Sequence, residues 1–148
     1  MPGLKENGEA ALATSLAAVV TGGVIVRTNH GERPLESTEY PVPGTVRVEV
    51  VCGDGSGLRD EKGSQRHIFD VEVVVRFWIA DESNTTRGTT FNAALREVLT
   101  AIQETSTGNP RGSSGFWLEW DRWQMLRDAR DVPPYAGARI PIRLKFRE

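Results

Sequence analysis

The sequence predicts an α+β fold, a mainly antiparallel β-sheet with two helices packed on one of its faces. Residues 67–79 alternate between apolar and polar side chains, as in a half-buried strand. Residues 9–20 and 91–104 carry apolar side chains at helical spacing. The predicted order, helix, three strands, helix and two strands, suits one sheet with its helices on one side.

Residues 67–79 are predicted to form the central strand. The apolar positions of one face are Phe69, Val71, Val73, Val75, Phe77 and Ile79. The other face carries Asp70, Glu72 and Arg76, with Val74 and Trp78 between them. We expect the first face to be packed and the second to be partly hydrated or used for a partner.

The N-terminal part predicts a helix followed by a short strand. The helix is expected over Glu9–Val20, with Asn7 as its N-cap. The pair Gly22-Gly23 is a strong stop signal, and Val24–Arg27 reads as the strand. The small residues of this helix are expected to pack closely on the sheet.

Residues 29–44 contain three prolines and predict a long surface connection. The next strand is expected over Thr45–Cys52, with Arg47 and Glu49 pointing outward. Its inward positions are Val46, Val48, Val50 and Cys52.

Residues 53–66 combine glycine and charge over 14 positions between two strong strands. A tight hairpin needs only about two to five residues there. We therefore expect a long, flexible hairpin loop that becomes ordered only against a partner.

The second helix is expected over Phe91–Glu104, capped by Thr89 or Thr90. Its apolar stripe is Phe91, Ala94, Leu95, Val98, Leu99 and Ile102. We expect this amphipathic helix to lie on the sheet.

Two strands are expected in the C-terminal part. The first is predicted over Phe116–Trp123, with Trp117 and Trp123 on the same face. The last is Arg139–Arg147, in which Pro141 lacks a backbone donor and therefore indicates a sheet edge or a bulge. Its inward positions are Ile140, Ile142, Leu144 and Phe146, and its outward cations are Arg139, Arg143, Lys145 and Arg147.

The composition narrows the range of functions. The length of 148 residues suits a single domain. A net charge of −2 argues against a protein whose whole surface binds nucleic acid. Cys52 is the only cysteine, so an internal disulfide is excluded. No apolar run approaches the roughly 20 residues of a membrane span, and no signal-peptide pattern is present.

The chemical motifs are weak. His67 with Asp70 and a nearby serine lacks any nucleophile-elbow pattern. The run Gly53–Gly57 follows a strand, but no helix follows it and the Walker lysine is missing. We therefore expect no catalytic residues, no metal site and no cofactor.

Three of the four tryptophans lie within seven residues, at Trp117, Trp120 and Trp123. Packing within the core and between strands is one interpretation. The other is an interface patch, because tryptophan and arginine are enriched at binding hot spots.

The order of elements resembles the tail terminator, or tail-completion, proteins of long-tailed bacteriophages. The likeness covers nearly the whole chain. It lies in the N-terminal helix, the proline-bearing connection that ends at Thr45–Cys52, the long strand ending Arg76–Ala80, the helix Phe91–Glu104 and the final strand Ile140–Arg147. The length of the chain and the alternating pattern of its strands also agree with that family, although the sequence contains no diagnostic motif.

The resemblance implies a structural, non-enzymatic protein of the virion. Members of that family form a ring, commonly hexameric, on the last ring of the tail tube, and present a surface to the head connector or neck protein. Such a protein would be found in the tail or neck of the virion, and in the host cytoplasm during assembly. DNA would pass through the ring without specific binding, and no membrane is involved.

On this view charged and aromatic side chains meet neighbouring subunits or rings. The expected interface residues are Arg59, Asp60, Glu61, Lys62, Arg66, Asp70, Glu72, Arg76, Trp117, Trp123, Arg143 and Lys145. Two alternatives stay open: another phage neck or tail-tube component, or a small-molecule-binding α+β domain with its pocket between residues 117–123 and the second helix.

Overall fold

A computed structural model describes residues 4–29, 31–60, 67–105, 115–126 and 134–147. For residues 4, 54–60, 67–69, 115 and 147 the description is limited to the backbone. The helices and strands in chain order are α1 Leu4–Val19, β1 Gly23–Thr28, β2 Val46–Asp60, β3 His67–Ala80, α2 Arg87–Thr105, β4 Gly115–Trp120, β5 Gln124–Met125 and β6 Tyr135–Arg147.

The strands form one sheet in the order β1-β2-β3-β6-β4, and β5 pairs with β6 beside β4. β1 runs parallel to β2, and every other pairing is antiparallel. β3 therefore has a partner strand on each side over most of its length. This arrangement confirms both the predicted fold class and the central position of β3.

The main core lies between the sheet and the two helices, which pack on the same face and on each other. Val73, Val75 and Phe77 of β3 are at most 1% exposed. The apolar stripe of α2 faces them, as predicted, except that Leu99 is only partly buried. Leu12 and Leu16 bring α1 onto the same surface.

A smaller apolar cluster covers part of the opposite sheet face. Leu35 from the connection between β1 and β2 packs with Trp78 and Leu126. Tyr40 and Tyr135 stack beside them, with ring centroids 4.3 Å apart. The connection crosses back over the sheet because parallel neighbours need a crossover. This face is therefore buried where the connection covers Arg76 and Trp78, whereas Glu72 farther along β3 is exposed.

α1 begins earlier than predicted. It starts at Leu4, so Asn7 lies inside the helix and is not its N-cap. Lys5 and Glu9, one turn apart, form an ion pair with Nζ and Oε1 3.1 Å apart, which supports this first turn. The helix ends where expected, because Gly22 has φ of +69°, a conformation that favours glycine.

α2 also begins earlier than predicted, at Arg87. The expected caps, Thr89 and Thr90, lie inside its first turn. Asp81 organises this end instead, since its Oδ2 accepts hydrogen bonds from Thr86 Oγ1 at 2.8 Å and Thr90 Oγ1 at 2.7 Å. These hydroxyls and the backbone amide of Ser83 hold the pKa of Asp81 below its usual value, with Thr90 contributing most.

The predicted loop at residues 53–66 is shorter than expected. β2 continues to Asp60 and pairs with β3 as far as His67. The pairing register shifts between Cys52 and Gly55 and again between Gly57 and Arg59. Such bulges let a glycine-bearing segment stay in the ladder while it bends. Residues 61–66 lie outside the described part of the chain.

The predicted strand over Phe116–Trp123 is divided. β4 ends at Trp120 opposite Ile142, and β5 resumes at Gln124 opposite Arg139, so three residues stand against two. This irregularity faces the stretch of β6 that contains Pro141, as a residue without a backbone donor predicts. β6 itself is not an edge strand, because it lies between β3 and β4.

The division of the strand moves Trp123 away from the face of Trp117. Trp123 packs against Phe91 of α2 in a tilted arrangement, with ring centroids 5.9 Å apart and ring planes at 57°. Trp117 is 6% exposed and lies on the sheet face away from the helices. The predicted shared face is wrong because the chain leaves the strand after Trp120.

Replacing Val73 by aspartate is expected to unfold the protein. The carboxylate would enter the core where Val73 is 1% exposed, among the apolar side chains of the main core. We expect the free energy of unfolding to fall by at least about 4 kcal/mol. Chemical denaturation measures the change, and Glu72→Asp on the exposed neighbour serves as the control. A soluble, cooperatively folding Val73→Asp protein would contradict the face assignment.

Candidate subunit interface

The sheet face away from the helices, here called the outer sheet face, has two parts. The connection between β1 and β2 covers the part around Arg76 and Trp78. The part formed by residues 70–72 of β3, residues 141–145 of β6 and residues 117–119 of β4 carries mostly charged side chains. Six of the twelve predicted interface residues lie on this outer sheet face, namely Asp70, Glu72, Arg76, Trp117, Arg143 and Lys145.

The covered part contains a buried ion pair between Glu49 of β2 and Arg76 of β3. These residues are direct partners in the ladder, and both are at most 4% exposed. Arg76 Nε and Nη2 donate to Glu49 Oε1, and Nη1 donates to the backbone carbonyl of Arg33 at 2.8 Å. The Arg76 guanidinium also lies 4.7 Å from the ring centroid of Trp78. Arg76 is therefore an internal residue, and its predicted role at a subunit surface is wrong.

The connection is held by further ion pairs. Arg33 makes a two-pronged contact with Glu39, with N–O distances of 2.7 and 2.8 Å. Arg47 bridges Glu39 and Glu49 at 3.3 and 3.2 Å. The hydrogen bonds from Arg33 and from the backbone of Glu36 lower the pKa of Glu39 to about 2. The connection is thus tied to the strands through charged side chains as well as through Leu35.

A second tie joins the start of the connection to β6. Arg139 Nε and Nη2 each donate to Glu32 at 2.8 Å, and Nη1 donates to Gln124 at 3.1 Å. This contact holds the pKa of Glu32 below its usual value, mainly through the hydrogen bond from Arg139. The contact spans 107 residues of sequence, so the connection is fixed at both ends.

The open part of the outer sheet face alternates charges from strand to strand. Glu72 of β3 stands opposite Arg143 of β6, which stands opposite Glu119 of β4. Arg143 Nη1 donates to the buried Asp70 at 2.7 Å, and Lys145 Nζ lies 2.9 Å from Glu119 Oε2. The side chain of Arg143 stays 63% exposed while it holds Asp70.

These contacts shift the pKa values of two of the charged groups, Arg143 and Glu119. The hydrogen bond to Asp70 raises the pKa of Arg143. The hydrogen bond from Lys145 lowers the pKa of Glu119, and Trp117 Nε1 adds a contact to Glu119 Oε1 at 3.3 Å. Arg143 and Glu119 therefore stay charged at neutral pH, so the surface presents both signs to a partner.

An open groove of about 550 Å³ lies where β4 ends. Its polar rim consists of Glu72, Glu119, Asp121 and Arg143. Its apolar lining consists of Trp120, Pro141 and Ile142. This combination of apolar floor and charged rim is typical of protein interfaces.

A smaller groove of about 290 Å³ lies between the start of α2 and β5. Phe91, Met125 and Tyr135 contribute apolar surface, and Arg87 lies at its side. Trp123 and Met125 are 38% and 36% exposed, which is unusual for large apolar residues. This smaller groove lies where a small-molecule pocket between residues 117–123 and α2 was expected as an alternative. Its volume is at the lower end of the range for ligand pockets.

The predicted interface residues are only partly brought together. Asp70, Glu72, Arg143, Lys145 and Trp117 share the open part of the outer sheet face, whereas Arg76 and Trp123 lie elsewhere. The backbones of Arg59 and Asp60 pair with Ile68 and His67. Glu61, Lys62 and Arg66 lie outside the described residues.

Sequence reasoning placed Glu49 outward and missed its partner. The alternation of β2 and β3 did carry a signal, because it places Glu49 and Arg76, charges of opposite sign, on the outward face of their strands. Glu32 and Glu119 were also missed. Their pairing with Arg139 and Lys145 depends on the path of the connection and on the β4 register, which sequence patterns do not encode.

Cys52 lies at the edge of the core beside α1. Burial raises the pKa of its thiol to about 11, and the neighbouring Glu9 carboxylate acts in the same direction. The thiol is therefore protonated at neutral pH. Within the described ranges, no three His, Cys, Asp or Glu side chains are grouped so as to hold a metal ion. Neither described helix is long and apolar enough to cross a membrane.

The fold has a counterpart among solved structures. One chain of the virion of a native gene transfer agent (GTA) particle matches with a TM-score of 0.53 and 18% identity. The match covers 95% of this chain and 94% of that chain. No family model and no curated protein matches the sequence. The likeness thus shows the fold over the full length.

Removing the Arg76 side chain is expected to destabilise the folded protein, because Glu49 would stay buried without its main partner. We expect Arg76→Ala to lower the free energy of unfolding by about 3–5 kcal/mol. Chemical denaturation of Arg76→Ala, Glu49→Ala and the double variant forms the test. The double variant should lose less than the sum of the two single losses, and strict additivity would contradict the pairing.

Glu39 is expected to make stability depend on pH in the acid range. Its pKa is about 2 in the folded protein, against 4.5 for the ordinary group. Its contribution is therefore fully present above about pH 4.5 and is lost as the pH falls through 2. Thermal denaturation between pH 2 and 6 should show a shallower decline for Glu39→Gln than for the wild type. Identical slopes would contradict the assignment.

Proposed function

We propose that this chain is a structural protein of a phage-like virion that forms a ring at the head-proximal end of the tail tube. The observation that carries the proposal is the match with a chain of a gene transfer agent virion, which spans nearly all of both chains. The structural match covers 95% of the chain, so nearly all of its fold has a counterpart in the virion chain. At 18% identity the match concerns the fold, and the functional step is an inference from it.

The ring would act as a tail terminator. It would sit on the last ring of tail tube protein, stop further polymerisation and present its other side to the head-connector or neck protein. We propose six subunits per ring. DNA would pass through the centre without specific binding, because a protein with a net charge of −2 does not hold phosphate tightly.

The surface chemistry supports an assembly role in which no reaction is catalysed. The open part of the outer sheet face presents alternating charges that select a partner and set register. Its groove adds apolar surface at the point where β4 ends. A closed ring needs a heterologous contact, in which two different surfaces of each subunit meet. The outer sheet face is one candidate for such a surface.

The purified protein is expected to form rings with a uniform mass near six times 16.3 kDa. Light scattering coupled to size-exclusion chromatography gives the mass, and negative-stain images of the same sample show the shape. Mixed with tail tubes, the rings should cap the tube ends and stop elongation. Bovine serum albumin at the same concentration serves as the control.

A protein that stays monomeric at high concentration and leaves tube ends free would refute the ring proposal. Rings that add along the tube, with no preference for its ends, would favour a tube component over a terminator.

A further inference from the structure

We infer that residues 42–45, here called the Val42 turn, dock into an aromatic groove of a second copy of this chain and so link neighbouring subunits of the ring. The aromatic groove is the groove of about 290 Å³ between the start of α2 and β5, where Phe91, Met125 and Tyr135 contribute apolar surface. The inference rests on the proposed ring function and specifies which two surfaces meet.

The exposed large apolar side chains of this protein are few and lie in two places. Within the described residues they are Val24, Val42, Trp123 and Met125, which are between 36% and 65% exposed. The two valines lie on and beside the edge strand β1, whereas Trp123 and Met125 lie at β5. Single exposed apolar residues are common, but two pairs on different flanks of one sheet indicate two contact surfaces.

The Val42 turn is rigid and has an apolar tip. The Val42 carbonyl accepts hydrogen bonds from the Thr45 backbone amide at 3.1 Å and from Thr45 Oγ1 at 2.7 Å. Pro43 and Gly44 occupy the central positions, and the φ of +88° at Gly44 is typical of a type II turn. Val42 is 65% exposed, and Pro43 is exposed beside it.

The stem of the Val42 turn is fixed as well. Pro41 is buried, and Tyr40 stacks on Tyr135 with ring centroids 4.3 Å apart. A segment that already has its bound conformation loses little conformational entropy on association. The turn is therefore a pre-organised apolar ligand for a complementary groove.

The aromatic groove is complementary in its chemistry. Phe91 and Tyr135 supply rings, and Met125 supplies a polarisable thioether. Trp123 extends this surface, with its ring centroid 5.9 Å from that of Phe91. Proline-containing segments dock in aromatic-lined grooves of several recognition domains, because proline is apolar and conformationally restricted. The lining thus suits the exposed Val42 and Pro43 side chains.

The cation beside the groove is already engaged within its own subunit. Arg87 Nε donates to the backbone carbonyl of Asp81 at 2.8 Å, and Arg87 Nη1 donates to Asn84 Oδ1 at 3.0 Å. The aromatic groove therefore offers apolar surface with its charge satisfied, which favours an apolar occupant over an acidic one.

The turn and the groove are different surfaces of each subunit. The turn lies beside the start of β1, since Val46 N donates to the Gly22 carbonyl at 3.0 Å, and β3 and β6 separate β2 from β5. Val42 does not line the groove of its own subunit. A contact between two different surfaces is heterologous and can close a ring, whereas two grooves meeting each other would give a two-fold dimer.

Site-specific cross-linking tests the contact. The single variants Val42→Cys and Met125→Cys are mixed below the assembly concentration, concentrated and oxidised with copper–phenanthroline. We expect the mixture to give about tenfold more disulfide-linked dimer than either variant alone, because a disulfide needs Cβ atoms about 4 Å apart. Cys52 is buried and its thiol is protonated at neutral pH, so it does not compete. Thr38→Cys mixed with Met125→Cys is the matched control and should give no such increase.

Aspartate substitutions test the energetic contribution. Val42→Asp and Met125→Asp are each expected to raise the protein concentration needed for half-assembly by about tenfold or more, since each places a charge in an apolar contact. Pro43 and Gly44 keep the turn in the first variant. Ser37→Asp and Gln124→Glu add the same charge at exposed positions nearby and should assemble like the wild type. Native mass spectrometry across a dilution series gives the concentrations, and circular dichroism melting verifies that every variant folds.

A mixture that cross-links no better than the single variants, Met125→Cys linking mainly to itself, or Val42→Asp assembling at the wild-type concentration would each overturn this inference. The proposed function stands in these cases as long as the wild type forms rings. A wild type that stays monomeric across the series, with and without tail tubes, would overturn both.

Discussion

The burial of β3 on both of its faces is the constraint on which the rest of the structure depends. Val73, Val75 and Phe77 face the helices, while Trp78 and Arg76 on the other side are equally inaccessible to water. A charged guanidinium in such a place needs a carboxylate and further acceptors. Glu49 on the neighbouring strand provides the first, and the backbone of Arg33 provides the second. The connection that joins the parallel strands β1 and β2 crosses the sheet at this point and completes the burial.

The same constraint divides the outer sheet face into a structural and an accessible part. Where the connection crosses, charged residues such as Glu49 belong to the interior and contribute to stability. Farther along β3 the connection is absent, and Asp70 is buried by Arg143, a side chain that itself stays exposed. Charges that look alike in the sequence thus have different roles. The part of the outer sheet face that is open to a partner is limited to residues 70–72 of β3, 141–145 of β6 and 117–119 of β4, with the groove beside them.

Much of the fold follows from the sequence, because strand and helix periodicity report directly which side chains must avoid water. The alternation over residues 67–79 identified the core side of β3, and the stripe beginning at Phe91 identified the buried side of α2. The candidate site was less predictable. Trp123 was assigned to the face of Trp117, but an interruption after Trp120 carries it to α2. Residues 53–60 read as loop because glycine is rare in strands, yet backbone pairing with β3 keeps them in the ladder.

The sequence alone determined the class of fold, the central strand and the inward face of each long strand, since these depend on local spacing of apolar side chains. It also determined a modest negative charge and a single cysteine. The tertiary structure decided which charges are buried, that Arg76 is an internal residue, and that Glu72 and Asp121 lie together at a groove. These outcomes depend on the path of the connection over the sheet and on the register of β4 and β5 against β6. Both are set by contacts between residues far apart in the chain, for which local periodicity carries no information.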